Sequence, residues 1–249
     1  GGLGFTVVAN VLGAARARLA RRPRSQRPRL TVQTRVTLLG TAALLGGGTA
    51  LLLLLEPDGA LGQGVGPALR GAFFQAATAR TAGFHTIDVA ALGPPALLAL
   101  MLLMFVGAGS GSTAGGIKLP TVAVIAADLR AITAGRRHPR LLDRELTRLD
   151  TARATAVLSV AVLLAVLGTF LLLVTEQTDL LTAAFEAISA LGTVGLSLGL
   201  TAELSPAGKV VVMVLMLVGR LGVLTVAYGL VQPARDPAVR LPRGEIMIG

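Results

Sequence analysis

The chain has 249 residues, 53% of them hydrophobic and only 14% charged, with a mean hydropathy of +0.74. Soluble domains carry about a quarter charged residues, so this composition points to a membrane protein. The net charge of +10 invites a nucleic-acid reading, but one tyrosine and no tryptophan argue against it, and the lack of cysteine excludes disulfides and thiolate metal sites.

Residues 1–15 open with Gly1-x-Leu3-Gly4, a pattern that returns as Gly219-x-Leu221-Gly222, and no signal-peptide pattern is visible. The sequence therefore reads as starting inside an earlier unit. A basic linker, residues 16–34, holds Arg16, Arg18, Arg21, Arg22, Arg24, Arg27 and Arg29 with no acidic residue. Val36–Leu55 is the first uncharged run of the roughly 20 residues that a crossing needs. Ala68–Ala79 is apolar but too short to cross, and it runs into Thr78-Ala-Arg-Thr-Ala-Gly-Phe-His85.

Val89–Ile117 is uncharged for 29 residues, too long for one straight crossing. Inside it, Gly107-Ala-Gly-Ser-Gly-Ser-Thr-Ala-Gly-Gly116 has five glycines in ten small residues. Each glycine costs a helix about 1 kcal/mol relative to alanine, so a break is predicted there. A phosphate loop is not matched, because Gly111 and Gly116 are followed by Ile117 and Lys118 rather than Lys and Ser/Thr.

A second basic linker, residues 119–152, precedes the uncharged run Ala154–Thr175. The short apolar piece Leu180–Leu191 leads into Leu191-Gly-Thr-Val-Gly-Leu196. Val210–Ala234 reads as a last span with one charge, Arg220, and residues 233–249 as a tail. A mid-span arginine costs roughly 2.5–3.5 kcal/mol on insertion scales, so Arg220 is expected to face the bundle interior or a water-filled cavity. By the positive-inside rule both basic linkers are cytoplasmic, while Glu56, Asp58, Asp88, Glu176, Asp179 and Glu203 mark the outer ends. Basic linkers also suit acidic lipid.

The two halves repeat. At an offset of 112, Phe73, Thr81 and Gly83 fall on Phe185, Thr193 and Gly195, and Met101, Met104, Val106 and Gly107 fall on Met213, Met216, Val218 and Gly219. At an offset of 120, Gly48, Thr49 and Glu56 fall on Gly168, Thr169 and Glu176. Each unit reads as span, short outward helix, glycine-containing return, span, and such repeats place a site at their interface. A return at membrane depth is tolerated where it is buried or lines water. The turns at Thr81–Gly83 and Thr193–Gly195 therefore either aim carbonyls at a dehydrated cation or serve only to pack.

"TARTAGFHTID", "GSTAGGIK", "FEAISALGTVGLSLGLT" and "VGRLGVLT" together resemble the last two repeats of the Trk/Ktr/HKT superfamily of potassium-translocating membrane subunits. The resemblance implies an all-α, polytopic membrane protein of helix–pore helix–helix units around one pore. Residues 1–15 would end the second repeat, 35–118 would form the third and 153–232 the fourth, with the earlier repeats on a longer chain. It also implies K⁺ as the transported ion, held by the backbone carbonyls of Thr81, Ala82, Gly83, Thr193, Val194 and Gly195. Phe84 and Leu196 would complete the filter. An intramembrane loop below it, with Gly107, Gly109, Gly111, Ser112, Gly115, Gly116 and Lys118, would act with Arg220 as the gate.

The same resemblance implies a cytoplasmic nucleotide-binding regulatory subunit, a homodimer and an inner-membrane location, with residues 14–35 and 121–148 as docking surfaces. No cofactor is expected in the chain. Arg80 and Glu186 are candidates for an ion pair bracing the turns. His85 and His138 are isolated, and no nucleophile–base or paired-carboxylate arrangement is present, so an enzyme is not expected. Sodium conduction or coupling, and a secondary transporter with paired repeats, are the rival readings.

Overall fold

The computed structural model describes residues 2–20, 23, 29–56, 59–136 and 138–222. The predicted tail 233–249, the end of the last span at 223–232, and linker arginines Arg21, Arg22, Arg24 and Arg27 lie outside the described residues. The fold is helical: α1 (Phe5–Leu19), α2 (Val32–Leu55), α3 (Val65–Thr78), α4 (Pro94–Phe105), α5 (Leu119–Thr133), α6 (Arg148–Thr175), α7 (Leu180–Gly192), α8 (Leu200–Glu203) and α9 (Pro206–Leu221).

Side chains that satisfy first-turn amides set the starts of α2, α6, α7 and α9. Thr31 caps α2 by accepting from the Thr34 N–H, Asp179 caps α7, and Ser205 caps α9 ahead of a proline in its first turn. Thr147 and Asp150 form a reciprocal capping box on α6. The Thr147 hydroxyl and N–H hold the Asp150 carboxyl below its ordinary range. That contribution is therefore present above the usual carboxylate range and is lost only as pH falls through the lowered value.

Length separates the helices into two kinds. At 1.5 Å per residue, α2 and α6 reach about 36 and 42 Å, enough to cross a hydrocarbon core of about 30 Å. Both are also apolar enough to do so, whereas the apolar helices α4 and α7 are shorter. Large apolar side chains stand exposed along α6, among them Leu163, Val166 and Phe170, an arrangement suited to lipid rather than water.

The interior joins both halves. Leu52 of α2, Ala72 and Ala76 of α3, Leu100 and Met104 of α4, and Phe185 of α7 share one buried cluster, and a second links α6, α7 and α9. The short helix α7 lies against α4, α6 and α9, so it is the element around which the halves meet. Small residues let the helices approach closely, the packing expected where lipid replaces water.

The contacts repeat along with the sequence. Glu56, just past the end of α2, accepts from the Gly93 N–H at 2.6 Å, at the start of α4. Glu176, just past α6, accepts from the Ser205 N–H at 3.1 Å and hydroxyl at 2.6 Å, at the start of α9. Those hydrogen bonds hold the Glu176 carboxyl below its ordinary range. On the same helices a Cβ on Gly48 would meet Leu103 Cδ1 at 2.9 Å, and one on Gly168 would meet Leu215 Cδ1 at 2.6 Å.

Two predicted segments have structure that the sequence reading did not describe. The linker read at 119–152 is not only a charged connector: it starts with α5, which packs on α2 and α6, and ends in a hairpin of Arg140–Leu141 with Arg144–Glu145. The apolar stretch Leu119–Ala127 outweighs the charges that follow it. Arg35 at the base of α2 pairs with Asp143 of that hairpin at 2.8 Å. In the segment read as the last span, helix α9 starts at Pro206 and ends at Leu221, where Gly222 takes a positive φ of 87. Arg220 sits in the last turn of α9.

A pair of left-handed turns above a glycine-rich loop

Helices α3 and α7 both end in a turn with the same alternation of backbone sign. Thr81 (φ 78) and Gly83 (φ 76) are left-handed, as are Thr193 (φ 52) and Gly195 (φ 95), while Ala82 and Val194 between them are not. Threonine is disfavoured at positive φ, at a cost of order 1–3 kcal/mol, so its use at both sites is an imposed conformation. The turns are anchored to their helices: Ala82 N–H donates to Thr78 O at 3.0 Å, and Val194 N–H donates to Ser189 O at 2.9 Å.

The turns also touch each other. A Cβ on Gly83 would run into the Val194 carbonyl oxygen, and one on Gly195 would lie 3.6 Å from Gly83 Cα. Only glycine fits at Gly83, both for its dihedral and for this approach. Val194 and Leu196 are buried, whereas Ala82, Phe84 and Gly195 are exposed.

Directly after α4 the chain leaves helical geometry at Val106 and does not regain it until Leu119. This loop closes on itself, with Ile117 N–H donating to Phe105 O at 3.2 Å and Leu119 N–H to Ala108 O at 3.0 Å. It also holds the chain entry: Gly109 N–H donates to Gly2 O at 2.9 Å, and Phe5 N–H to Gly111 O at 3.3 Å.

Two further contacts tie the loop to its surroundings. Gly115 N–H donates to the Thr193 hydroxyl at 3.0 Å. A Cβ on Gly115 would lie 2.6 Å from that hydroxyl and 2.7 Å from Gly192 O, so the loop is seated against the turn after α7, the turn of the predicted fourth repeat. On the other side, Arg220 donates to Thr113 O and Lys118 to Ala114 O, two cations on consecutive carbonyls.

Turn and loop face a common space. A cleft of about 1030 Å³ is lined by Arg80, Thr81 and Ala82 from the turn after α3, the turn of the predicted third repeat, and by Gly111, Ser112 and Thr113 from the loop. Gly107, by contrast, is packed against Gly115 O inside the loop, and Gly116 near Phe105 O.

Arg80 and Glu186 do not pair. Among the described residues the ion pairs are Arg35–Asp143 and Arg140–Glu145. Arg80 Nε and Nη2 are buried without a hydrogen-bond partner, and Glu186 instead accepts from Ser197 and Thr201. Among the described residues no group of three or more His, Cys, Asp or Glu is placed to hold a metal ion.

Residues 1–233 match the TrkH family model, described as a cation transport protein. The chain is 38% identical over its whole length to the Ktr system potassium uptake protein B of Vibrio alginolyticus, covering 53% of that protein. It is 36% identical to its namesake in Bacillus subtilis, covering 54%. It is 35% identical to the potassium/sodium uptake protein NtpJ of Enterococcus hirae, covering 55%. The chain spans about half the length of these curated relatives. The crystal structure of the potassium transporter TrkH from Vibrio parahaemolyticus aligns with a TM-score of 0.71 at 23% identity, over 93% of this chain and 49% of that one. That likeness establishes a shared helical fold.

Proposed function

Because the chain belongs to the TrkH family of cation transport proteins, a family of membrane transporters rather than enzymes, we propose that it forms half of a K⁺ path. In this reading Thr81–Gly83 and Thr193–Gly195 supply two walls of a carbonyl-lined filter. The observation that carries it is the matched alternation of dihedral sign in two touching turns. Alternating left- and right-handed residues turn successive carbonyls toward one side, the requirement for replacing a cation's hydration shell. Relatives 36–38% identical are named for potassium uptake.

The loop 106–118 serves as the gate beneath these walls, closed by the hold of Arg220 and Lys118 on its carbonyls. Movement of K⁺ follows its electrochemical gradient, and no cofactor in the chain takes part. The complete protein sits in the inner membrane as a homodimer, with the basic segments 16–34 and 119–152 facing acidic lipid and a cytoplasmic nucleotide-binding regulatory subunit. A second reading, sodium carried beside potassium, is favoured by the 35% identical relative named for both ions.

K⁺ and Na⁺ flux through the complete protein in liposomes, with Gly83→Ser and Gly195→Ser, tests the reading. A side chain at Gly83 meets the Val194 carbonyl, so K⁺/Na⁺ selectivity is expected to fall at least tenfold, an effect of order 1.4 kcal/mol, with little loss of folded protein. Unchanged selectivity in both variants removes the turns from the filter, and high Na⁺ flux in the wild type establishes the second reading.

A further inference from the structure

Glu186 lies on α7 eleven residues before Ser197 and is 4% exposed. Its Oε2 accepts from the Ser197 hydroxyl at 2.8 Å, and its Oε1 accepts from the Thr201 hydroxyl. Ser197 Oγ in turn accepts from the Gly199 N–H at 3.1 Å and the Thr201 N–H at 3.4 Å. One buried carboxylate thus gathers the chain leaving the fourth turn, from Ser197 to Thr201, back onto the helix that enters that turn. Among the described residues no cation pairs with it, so hydroxyl donors alone satisfy it.

The third turn has no such group. At the matching positions 112 residues earlier stand Phe74, His85 and Val89 in place of Glu186, Ser197 and Thr201. There the Thr78 hydroxyl donates to Phe84 O at 2.5 Å instead, and the counterpart of Thr78 is Ala190. The two turns share their dihedral alternation but are held from behind by different hardware.

We infer that Glu186 is a positioning residue for conduction, fixing the outer limb of the fourth turn through the hydroxyls of Ser197 and Thr201. This rests on the filter reading above. A carboxylate that accepts two hydroxyls holds both oxygens of the brace in place. Its amide analogue keeps the geometry by accepting from one hydroxyl and donating to the other. The brace therefore acts through hydrogen bonding and not through charge.

The test uses the complete protein in liposomes with Glu186→Ala, Glu186→Gln and the double variant Ser197→Ala/Thr201→Val. Two quantities are read: the K⁺/Na⁺ flux ratio, and peptide-level hydrogen exchange over residues 197–203. Glu186→Ala and the double variant are expected to lower the ratio about tenfold and to speed exchange, the effect of losing hydrogen bonds to a charged group. Glu186→Gln is expected to stay near wild type in both. If Glu186→Ala does not fold, the double variant decides alone. Glu186→Gln as damaging as Glu186→Ala, with the double variant silent, overturns the brace in favour of a charge effect. Unchanged ratio and exchange in the alanine or double variant also overturns it. A wild-type protein that passes no K⁺ defeats the filter reading, while exchange still decides whether the brace exists.

Discussion

Thr193 concentrates the problem that the site has to solve. A β-branched residue held at φ 52 is strained by about 1–3 kcal/mol, and glycine would remove that strain. What glycine lacks is the hydroxyl, and here the hydroxyl accepts from the Gly115 N–H at 3.0 Å. Threonine thus costs conformational energy but connects the turn to the loop. Replacing it with valine keeps the shape and strands a buried donor, which costs about 1–3 kcal/mol. Thr193→Val should therefore speed hydrogen exchange of the loop and raise basal K⁺ flux several-fold, whereas Thr193→Ser should stay close to wild type. Equal loop exchange in the two variants would separate the hydroxyl from the loop. At this scale the sequence identified the threonines and glycines by their repetition, but not what their side chains touch. Glu186 was visible as a lone acid on an apolar helix; its partners Ser197 and Thr201 come from a return of the chain that spacing alone does not reveal.

Among the elements, the glycine-rich loop was the most legible, because five glycines within ten residues forbid a stable helix whatever surrounds them. The short helices α3 and α7 were equally plain from the length of their apolar runs. The helix α5 was hidden because Asp128 and Arg130 interrupt its apolar run and basic residues follow it, and a charge count registers a linker where burial against α2 and α6 makes a helix. The end of α9 was hidden by hydropathy, which runs on past the left-handed Gly222. Arg220 lies in the last turn of α9, a favourable place for a cation, and from there it reaches Thr113 O of the glycine-rich loop. A loop with few side-chain contacts needs only a few kcal/mol to change state. Shortening it and substituting Arg220→Ala should each raise K⁺ flux, and the two together should do so less than additively, since both remove one barrier. Strictly additive effects, or reduced flux in a well-folded Arg220→Ala protein, would mark Arg220 as a structural brace only.

For the molecule as a whole, the repeat in sequence is matched by a repeat in contacts. Glu56 with Gly93 and Glu176 with Ser205 fasten corresponding helix ends, and Gly48 with Leu103 and Gly168 with Leu215 pack corresponding crossings. Sequence offset pointed to the correspondence; the fastening itself required coordinates, because a glutamate after a span reads simply as an outer-end charge. In the proposed filter two turns supply two walls, and the chain spans about half the length of its relatives. Residues 1–249 expressed alone should therefore not restore growth of an uptake-deficient bacterium on low potassium. Rescue would require two copies to assemble into one path, which the mass of the purified species would reveal, and rescue by a single copy would refute the two-wall count.

The backbone bonds between the loop and the chain entry give α1 a mechanical role. Gly2 and Phe5 are each tied to the loop, at Gly109 and Gly111, and from there the helix runs unbroken to Leu19, past Arg16 and Arg18. A helix bends or stretches far less readily than a glycine-rich loop slides, so α1, about 22 Å long, would act as a pushrod. A displacement of its arginine end would therefore reach Gly109 and Gly111 largely undiminished.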